Sequence, residues 1–278
     1  MDISLDSAFA SKKMVWFGAL LIGCYAPVLA GLAKQWATDP DMGHGFLVPC
    51  VAGYVVWRRR ASLRNATHVP CYAGFGLIIW GGVQMILGNL AAQVFIMRTA
   101  FLISVLGTVL FLGGAQTVRI LQFPLFSLIF MIPIPATLYA QITLPLQILA
   151  STVAEAGLNW ISIPVLRDGN ILELANQRIS VVEACSGMRS LLSLAFVGLI
   201  YAYFFELKIW MRVLLTAITI PVAIAANAAR VTLTGVLATY SPSLAQGTLH
   251  VLEGWGLFLL ALAILVAFHR CFRSYVKT

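Results

Sequence analysis

Apolar stretches of bilayer-crossing length recur from Met14 to Phe268, near 14–32, 44–57, 71–90, 99–116, 118–134, 186–205, 209–228 and 249–268. A helix needs about 17–25 largely apolar residues to cross roughly 30 Å of hydrocarbon. Each stretch therefore predicts a transmembrane helix, the second short by that rule and the fifth interrupted by prolines. Composition agrees: 60% of the 278 residues are apolar and 10% charged, where soluble domains carry about 25% charged residues. The expected fold is an all-α polytopic membrane protein with about eight transmembrane helices. It forms a single domain over 1–278, without internal repeat or linker. No cleavable signal peptide is expected, because Met14 opens an ordinary span after a polar start containing Lys12 and Lys13.

Orientation follows from the distribution of Lys and Arg. With the N-terminus inside, the cytoplasmic side holds Lys12, Lys13, Arg58, Arg59, Arg60, Arg64, Arg119, Lys208, Arg212, Arg270, Arg273 and Lys277. Only Asp2, Asp6 and Glu206 accompany them, and both termini are cytoplasmic. The other six basic residues fall outside with the other seven acidic ones. The net charge of +8 thus reflects topology, and nucleic-acid binding need not be invoked.

This orientation leaves residues 136–185 outside, although 137–163 is apolar enough for another span. Gln147, Ser151, Glu155 and Asn159 recur every four positions and line one helical face. They predict an amphipathic helix at the outer surface; a ninth span is the alternative, which would carry residue 185 inside. Beyond it, Asp168-Gly169-Asn170 is a turn signal between β-rich runs, and Ile179 to Val182 resumes them. A small extramembrane β-hairpin leading into the 186–205 span is expected.

Topology separates the five cysteines. Cys24 and Cys50 fall within spans, and Cys71 and Cys271 near the cytoplasmic face. These four read as small buried hydrophobes or reduced thiols. Cys185, in "VVEACSGMRSLL", stands alone at the outer boundary without a cysteine partner. It precedes a helix in which Ser186 is a cap candidate and Gly187 leaves the backbone open. Unpaired N–H groups, the helix dipole and Arg189 four residues on favour a thiolate there; Glu183 opposes it. A passive cysteine at a helix start is the alternative.

A nucleophile needs a proton carrier and an oxyanion partner. His44 and His250 are the outer histidines, while His68 and His269 fall among cytoplasmic basic residues and read as surface or headgroup contacts. Arg230 lies at the outer end of the 209–228 span, with Asn227 three positions earlier on the same face. A membrane arginine is costly without purpose or partner; snorkelling to headgroups is its blander explanation. Cys185, Arg230 and His250 each fall at the outer end of a different span.

These residues carry a family resemblance. "DMGHGFLVPCVAGYVVWRRR" (41–60), "VVEACSGMRSLLSL" (181–194), "NAARVTLTG" (227–235) and "HVLEGW" (250–255) occur in order as in the exosortases, with "FMIPIP" (130–135) and the hairpin adding support. The chain resembles that family over nearly its whole length, Cys-Ser-Gly-x-Arg and Asn-x-x-Arg being the specific motifs. The resemblance implies a membrane-embedded cysteine peptidase or transpeptidase of a Gram-negative inner membrane, active on the periplasmic side. It implies substrates that are exported proteins with a C-terminal Pro-Glu-Pro motif, a hydrophobic span and a basic end (PEP-CTERM tails), cleaved through a Cys thioester and passed to a surface acceptor. The family commonly accompanies exopolysaccharide biosynthesis, whose components are implied as possible partners. The family's catalytic cysteine, arginine and histidine match Cys185, Arg230 and His250. Val-Leu-Glu follows His250 where Asp-Phe-Ser is more usual, which leaves any supporting role of Glu253 open.

Arg189, Asn227, His44, Glu183 and Ser186 are then the substrate-binding or supporting candidates. Arg189 is second choice for the oxyanion, and His44 second choice for the proton carrier. No metal-ligand spacing, phosphate loop or Ser-His-Asp arrangement occurs, so no cofactor and no metal are expected. The competing reading is a non-covalent transporter or export component linked to exopolysaccharide, with Arg230, Glu155 and His250 along its pathway. Such proteins usually show repeated halves or broken mid-membrane helices, whereas here polarity gathers at one face.

Overall fold

The computed structural model describes residues 15–175, 177–181, 187–240 and 248–276, with 40, 187–191, 248–251 and 274–276 described by backbone alone. The chain is mostly helical and forms two compact units, Met1–Pro135 and Ala136–Thr278. Among the described residues, four helices are long and apolar enough to cross a membrane, and two bent helix pairs raise the candidate spans to six.

In the first unit, α1 (Val15–Cys24) and α2 (Ala26–Thr38) meet at a 74° bend. Pro27, in the first turn of α2, has no N–H for the preceding turn, so the helix breaks there. Tyr25 fills the bend: its hydroxyl donates to the Gly81 carbonyl at 3.2 Å and shares a hydrogen bond with Ser104 at 2.9 Å. A 3-10 helix, Pro40–Phe46, then leads into α3 (Leu47–Arg58) and α4 (Arg60–Arg64). The 44–57 stretch is thus divided, and its helical part has 12 residues. Two long helices follow, α5 (Tyr72–Leu90) and α6 (Val94–Ile120), then α7 (Gln122–Ser127) and a short 3-10 turn, Leu128–Met131. The prolines in 118–134 prevent one continuous span.

The second unit opens with α8 (Ala136–Trp160). The expected hairpin is a three-stranded antiparallel sheet, β1 (Val165–Asp168), β2 (Ile171–Leu174) and β3 (Arg178–Ser180). Gly169, with φ of 59°, makes the β1–β2 turn, a conformation other residues adopt at a cost. The four-residue polar stripe of α8 has a use beyond facing water, because it receives the sheet. The Asn170 amide donates to Gln147 at 3.0 Å, the buried Ser151 hydroxyl donates to the Gly169 carbonyl at 2.9 Å, and Arg167 pairs with Glu155 at 2.7 Å. Asn159 stays exposed. Leu172, Ile179 and Val181 pack with Ala150, Ala154 and Leu158 of α8 into one buried cluster.

Three helices complete this unit: α9 (Gly187–Phe205), α10 (Ile209–Tyr240) and α11 (Thr248–Val276). A Cβ on Gly198 of α9 would run into Thr219 of α10, so the glycine permits their close approach. Where α9 turns into α10, Glu206 accepts from the backbone N–H groups of Leu207 and Lys208 and meets His269 Nε2 at 3.2 Å. The other His269 ring nitrogen bonds the Tyr201 hydroxyl at 2.8 Å. His269 is 3% exposed, which corrects its reading as a surface contact: its position among arginines hid a long-range carboxylate partner. Cys24, Cys50 and Cys271 are exposed and Cys71 half-buried. They are not interior residues, because a lipid-facing position suits an apolar thiol as well as a core does.

The Lys208 N–H is the main cause that holds the Glu206 carboxyl at about 2, against desolvation and with help from His269. Its stabilisation is complete above the ordinary glutamate value of 4.5 and is lost as pH falls from there towards 2. The unfolding midpoint in detergent is expected to drop over that interval, and Glu206→Gln to flatten the drop. An equal pH dependence in both proteins would contradict this assignment.

Candidate active site

The sequence "NAARVTLTG" places two faces on α10. Asn227, Arg230 and Thr234 occur at helical spacing on one, and Ala228, Val231 and Gly235 on the next. Ala228 and Val231 belong to the buried cluster with α8 and the sheet. A Cβ on Gly235 would meet Leu158 of α8 at 2.9 Å. Packing on that side fixes the rotation of α10 and directs the polar face towards α11.

Arg230 is 7% exposed. Its guanidinium lies over Gly254 of α11, where a Cβ would meet Nη2 at 3.0 Å and Cζ at 3.1 Å. The arginine is turned into the bundle, away from the headgroup position that snorkelling requires. One turn further along, the buried Thr234 hydroxyl donates to the Glu253 carboxylate at 3.1 and 3.3 Å, tying α10 to α11 beside the guanidinium. Trp255, next to Gly254, is 64% exposed and faces outward as interfacial tryptophans do.

Below Arg230 runs a small crevice. Ala223, Ala226, Asn227 and Arg230 of α10 face Gly254, Leu257, Phe258 and Ala261 of α11, and Leu194 of α9 closes one side. Both stripes follow the i, i+3, i+4, i+7 rule of a single helical face. Among the described residues, no hydrogen-bond donor meets the buried Asn227 amide oxygen. Polar groups therefore mark the crevice at Asn227 and Arg230, and apolar or small ones elsewhere. Leu194, Ala223 and Ala261 form a buried cluster beneath it.

The remaining candidates divide between the two units and the described limits. Cys185, Glu183 and Ser186 lie outside the described residues. Arg189 and His250 are described as backbone positions, each the third residue of its helix, α9 and α11. His250 precedes Glu253 by three positions and Gly254 by four. His44 belongs to the first unit, is 8% exposed, and hydrogen-bonds the Phe130 carbonyl. In the same unit Trp36 donates to the Met131 carbonyl at 2.9 Å, and a Cβ on Gly45 would meet that indole at 2.5 Å. Parts of "DMGHGF" and "FMIPIP" thereby meet at one junction. Arg98 and Asp39 are linked through Gln35, whose amide accepts from the guanidinium at 2.8 Å and donates to the carboxylate at 3.3 Å. Among the described residues, no group of three His, Cys, Asp or Glu side chains could hold a metal ion.

Gly254, Thr234 and the α11 stripe were missed as site residues, although the spacing Gly254, Leu257, Phe258, Ala261 mirrors that of Ala223, Ala226, Asn227, Arg230. No curated protein and no solved structure matches the chain. A family model described as Transmembrane exosortase (Exosortase_EpsH) matches residues 36–267, crossing both units. On that match, the chain belongs to the transmembrane exosortase family.

Proposed function

We propose that this multi-pass protein cleaves the C-terminal sorting tail of exported PEP-CTERM proteins through a thioester on Cys185. Membership of the exosortase family implies a sorting protease of the cysteine-peptidase kind. The observation that carries the residue assignment is the buried Arg230 guanidinium, seated on Gly254 beside a crevice on the helix pair that also bears His250. A cation held there is suited to an oxyanion in a water-poor site.

In this mechanism the Cys185 thiolate attacks the carbonyl carbon of the scissile peptide. The carbonyl π-pair moves onto oxygen, and Arg230 stabilises the resulting oxyanion. Collapse expels the tail as an amine protonated by His250 and leaves a thioester. An acceptor nucleophile, deprotonated by His250, then attacks the thioester and releases Cys185. Arg189, Asn227, His44, Glu183 and Ser186 support the substrate or these groups. Cytoplasmic termini and a periplasmic site in a bacterial inner membrane fit the basic residues of the loops. Arg230 is 21 residues along α10 from its start at Ile209, roughly 30 Å of helix rise. That length separates it from the Glu206–His269 pair by about one hydrocarbon thickness.

The test is conversion of an exported reporter carrying a Pro-Glu-Pro motif, an apolar span and a basic end. Cells making this chain are expected to yield a shortened reporter, and cells lacking it the full-length form. A reporter equally intact in both would sink the sorting assignment.

A further inference from the structure

The chain reaches Cys185 through β3, and β3 is an edge strand. In the order β1–β2–β3, its strand partner among the described residues is β2. Along an antiparallel pair, residues alternate between turning their backbone polar groups to the partner and away from it. Leu174 donates its N–H to the Gln177 carbonyl, and Val181 donates its own to the Asn170 carbonyl, each at 2.9 Å. With Leu172 opposite Ile179, residues 177, 179 and 181 face β2. Arg178 and Ser180 therefore turn their N–H and C=O groups outward, where no described backbone group meets them. Such an edge is a template for one more strand.

The side chains of Arg178 and Ser180 share the face opposite that of Ile179, which is buried in the cluster with α8. Arg178 is 77% exposed there, and its Nη2 pairs with Glu173 of β2 at 2.7 Å. Its planar fork has further N–H donors, so a second carboxylate on that face can be held as well. On the other edge strand, β1, the arginine is Arg167, which is turned towards α8 and paired with Glu155.

We infer that the Pro-Glu-Pro segment of the sorting tail adds to β3 as a further antiparallel strand, its glutamate opposite Arg178. The inference rests on the sorting reading above. Alternating prolines suit such a strand, because proline has no N–H and is tolerated in a sheet only where that position faces away from the neighbour. The glutamate precedes a proline, which holds it in the extended region. Facing β3, its N–H donates to the Arg178 carbonyl and its carbonyl accepts from the Arg178 N–H. Both prolines then face outward, and no ladder bond is lost. Directly opposed residues carry their side chains on one face, so the carboxylate meets the Arg178 guanidinium. Glu173, Arg178 and the substrate glutamate form a row of alternating charge across three strands. Ser180 precedes Cys185 by five positions, so the docking strand and the nucleophile belong to one segment. Arg178 is then the specificity-determining residue that reads the glutamate.

A charge exchange tests this in membranes holding the full chain at matched protein levels. Reporter tails carry Pro-Glu-Pro, Pro-Arg-Pro, Pro-Gln-Pro or Pro-Pro-Pro and are otherwise identical. Arg178→Glu is expected to slow the Pro-Glu-Pro reporter about fivefold at limiting reporter, and to speed the Pro-Arg-Pro reporter by a similar factor. The preference between the two thereby reverses, which a loss of stability would not do. The wild type is expected to cut Pro-Pro-Pro about tenfold more slowly than Pro-Gln-Pro, for want of the facing N–H. Equal effects of Arg178→Glu on the two charged reporters, or none on either, overturn Arg178 as the reader of the glutamate. Equal cutting of Pro-Pro-Pro and Pro-Gln-Pro overturns the added strand. A wild type that cuts none of the four overturns the sorting reading itself, and this inference with it.

Discussion

Cells that make Cys185→Ala or Cys185→Ser are expected to accumulate the full-length reporter while the protein reaches the membrane at its normal level. A serine hydroxyl is a far weaker nucleophile than a thiolate at neutral pH, so even the smallest change of atom removes the covalent step. Arg230→Ala is expected to slow processing by about 10²–10³-fold, the loss typical of removing one oxyanion donor. Arg230→Lys recovers part of that loss, since lysine supplies charge but lacks the planar fork that lies against Gly254. Gly254→Val tests the seat itself: its side chain would occupy the guanidinium's position, 3.0 Å from Nη2. That atom is the tip of a long side chain, so the fold survives and activity falls towards the Arg230→Lys level. His250→Ala is expected to cost about 10²–10⁴-fold, as loss of a general acid–base group does. Gel mobility of the reporter, followed over time beside immunoblots of each variant, reads all of these. Normal trimming by Cys185→Ala would end the covalent mechanism and return the transport reading to first place.

Much of this arrangement was legible in the chain. Arg230 stood out because an arginine inside an apolar run needs an internal partner, and its burial against α11 follows from that need. The α8 stripe was legible as a polar face but not as a docking face. Gln147, Ser151 and Glu155 find their partners at Asn170, Gly169 and Arg167, and one-dimensional periodicity carries no information on what covers a face. His269 was misread for the same reason, its partner Glu206 being 63 residues away. The count of eight spans came from apolar length alone. Among the described residues four of those stretches lie in helices long enough to cross, 14–32 and 118–134 fall in bent pairs broken at prolines, and the helix within 44–57 has only 12 residues.

Replacing Gly74 by leucine is expected to leave almost no folded protein, and the reason lies in how α5 meets α6. Gly74, Gly81 and Gly88 are buried at seven-residue spacing on α5, a small-residue stripe of the kind that lets membrane helices approach closely. What faces each glycine differs. A Cβ on Gly74 would strike backbone of α6, the Phe111 amide nitrogen and the Gly107 carbonyl oxygen, the latter at 2.6 Å. Gly107 in turn faces the Gly74 carbonyl at 2.8 Å, so neither helix can yield without the other moving. At Gly81 the obstacle is the Ser104 hydroxyl, which also bonds Tyr25 in the α1–α2 bend. At Gly88 the nearest atom is in the Met97 side chain, at 2.9 Å, which can turn aside, while the Met97 backbone nitrogen at 3.1 Å has only a few tenths of an ångström to give. Overpacking costs about 1–3 kcal/mol, sometimes more, and the gain in helix propensity from Gly to Ala offsets at most about 1 kcal/mol. The alanine series should therefore rank Gly74→Ala as most damaging, Gly81→Ala next and Gly88→Ala least. The ranking is read as thermal midpoints of detergent-solubilised protein. Equal midpoints across the three would show that the helices separate freely and that backbone contact does not set their distance.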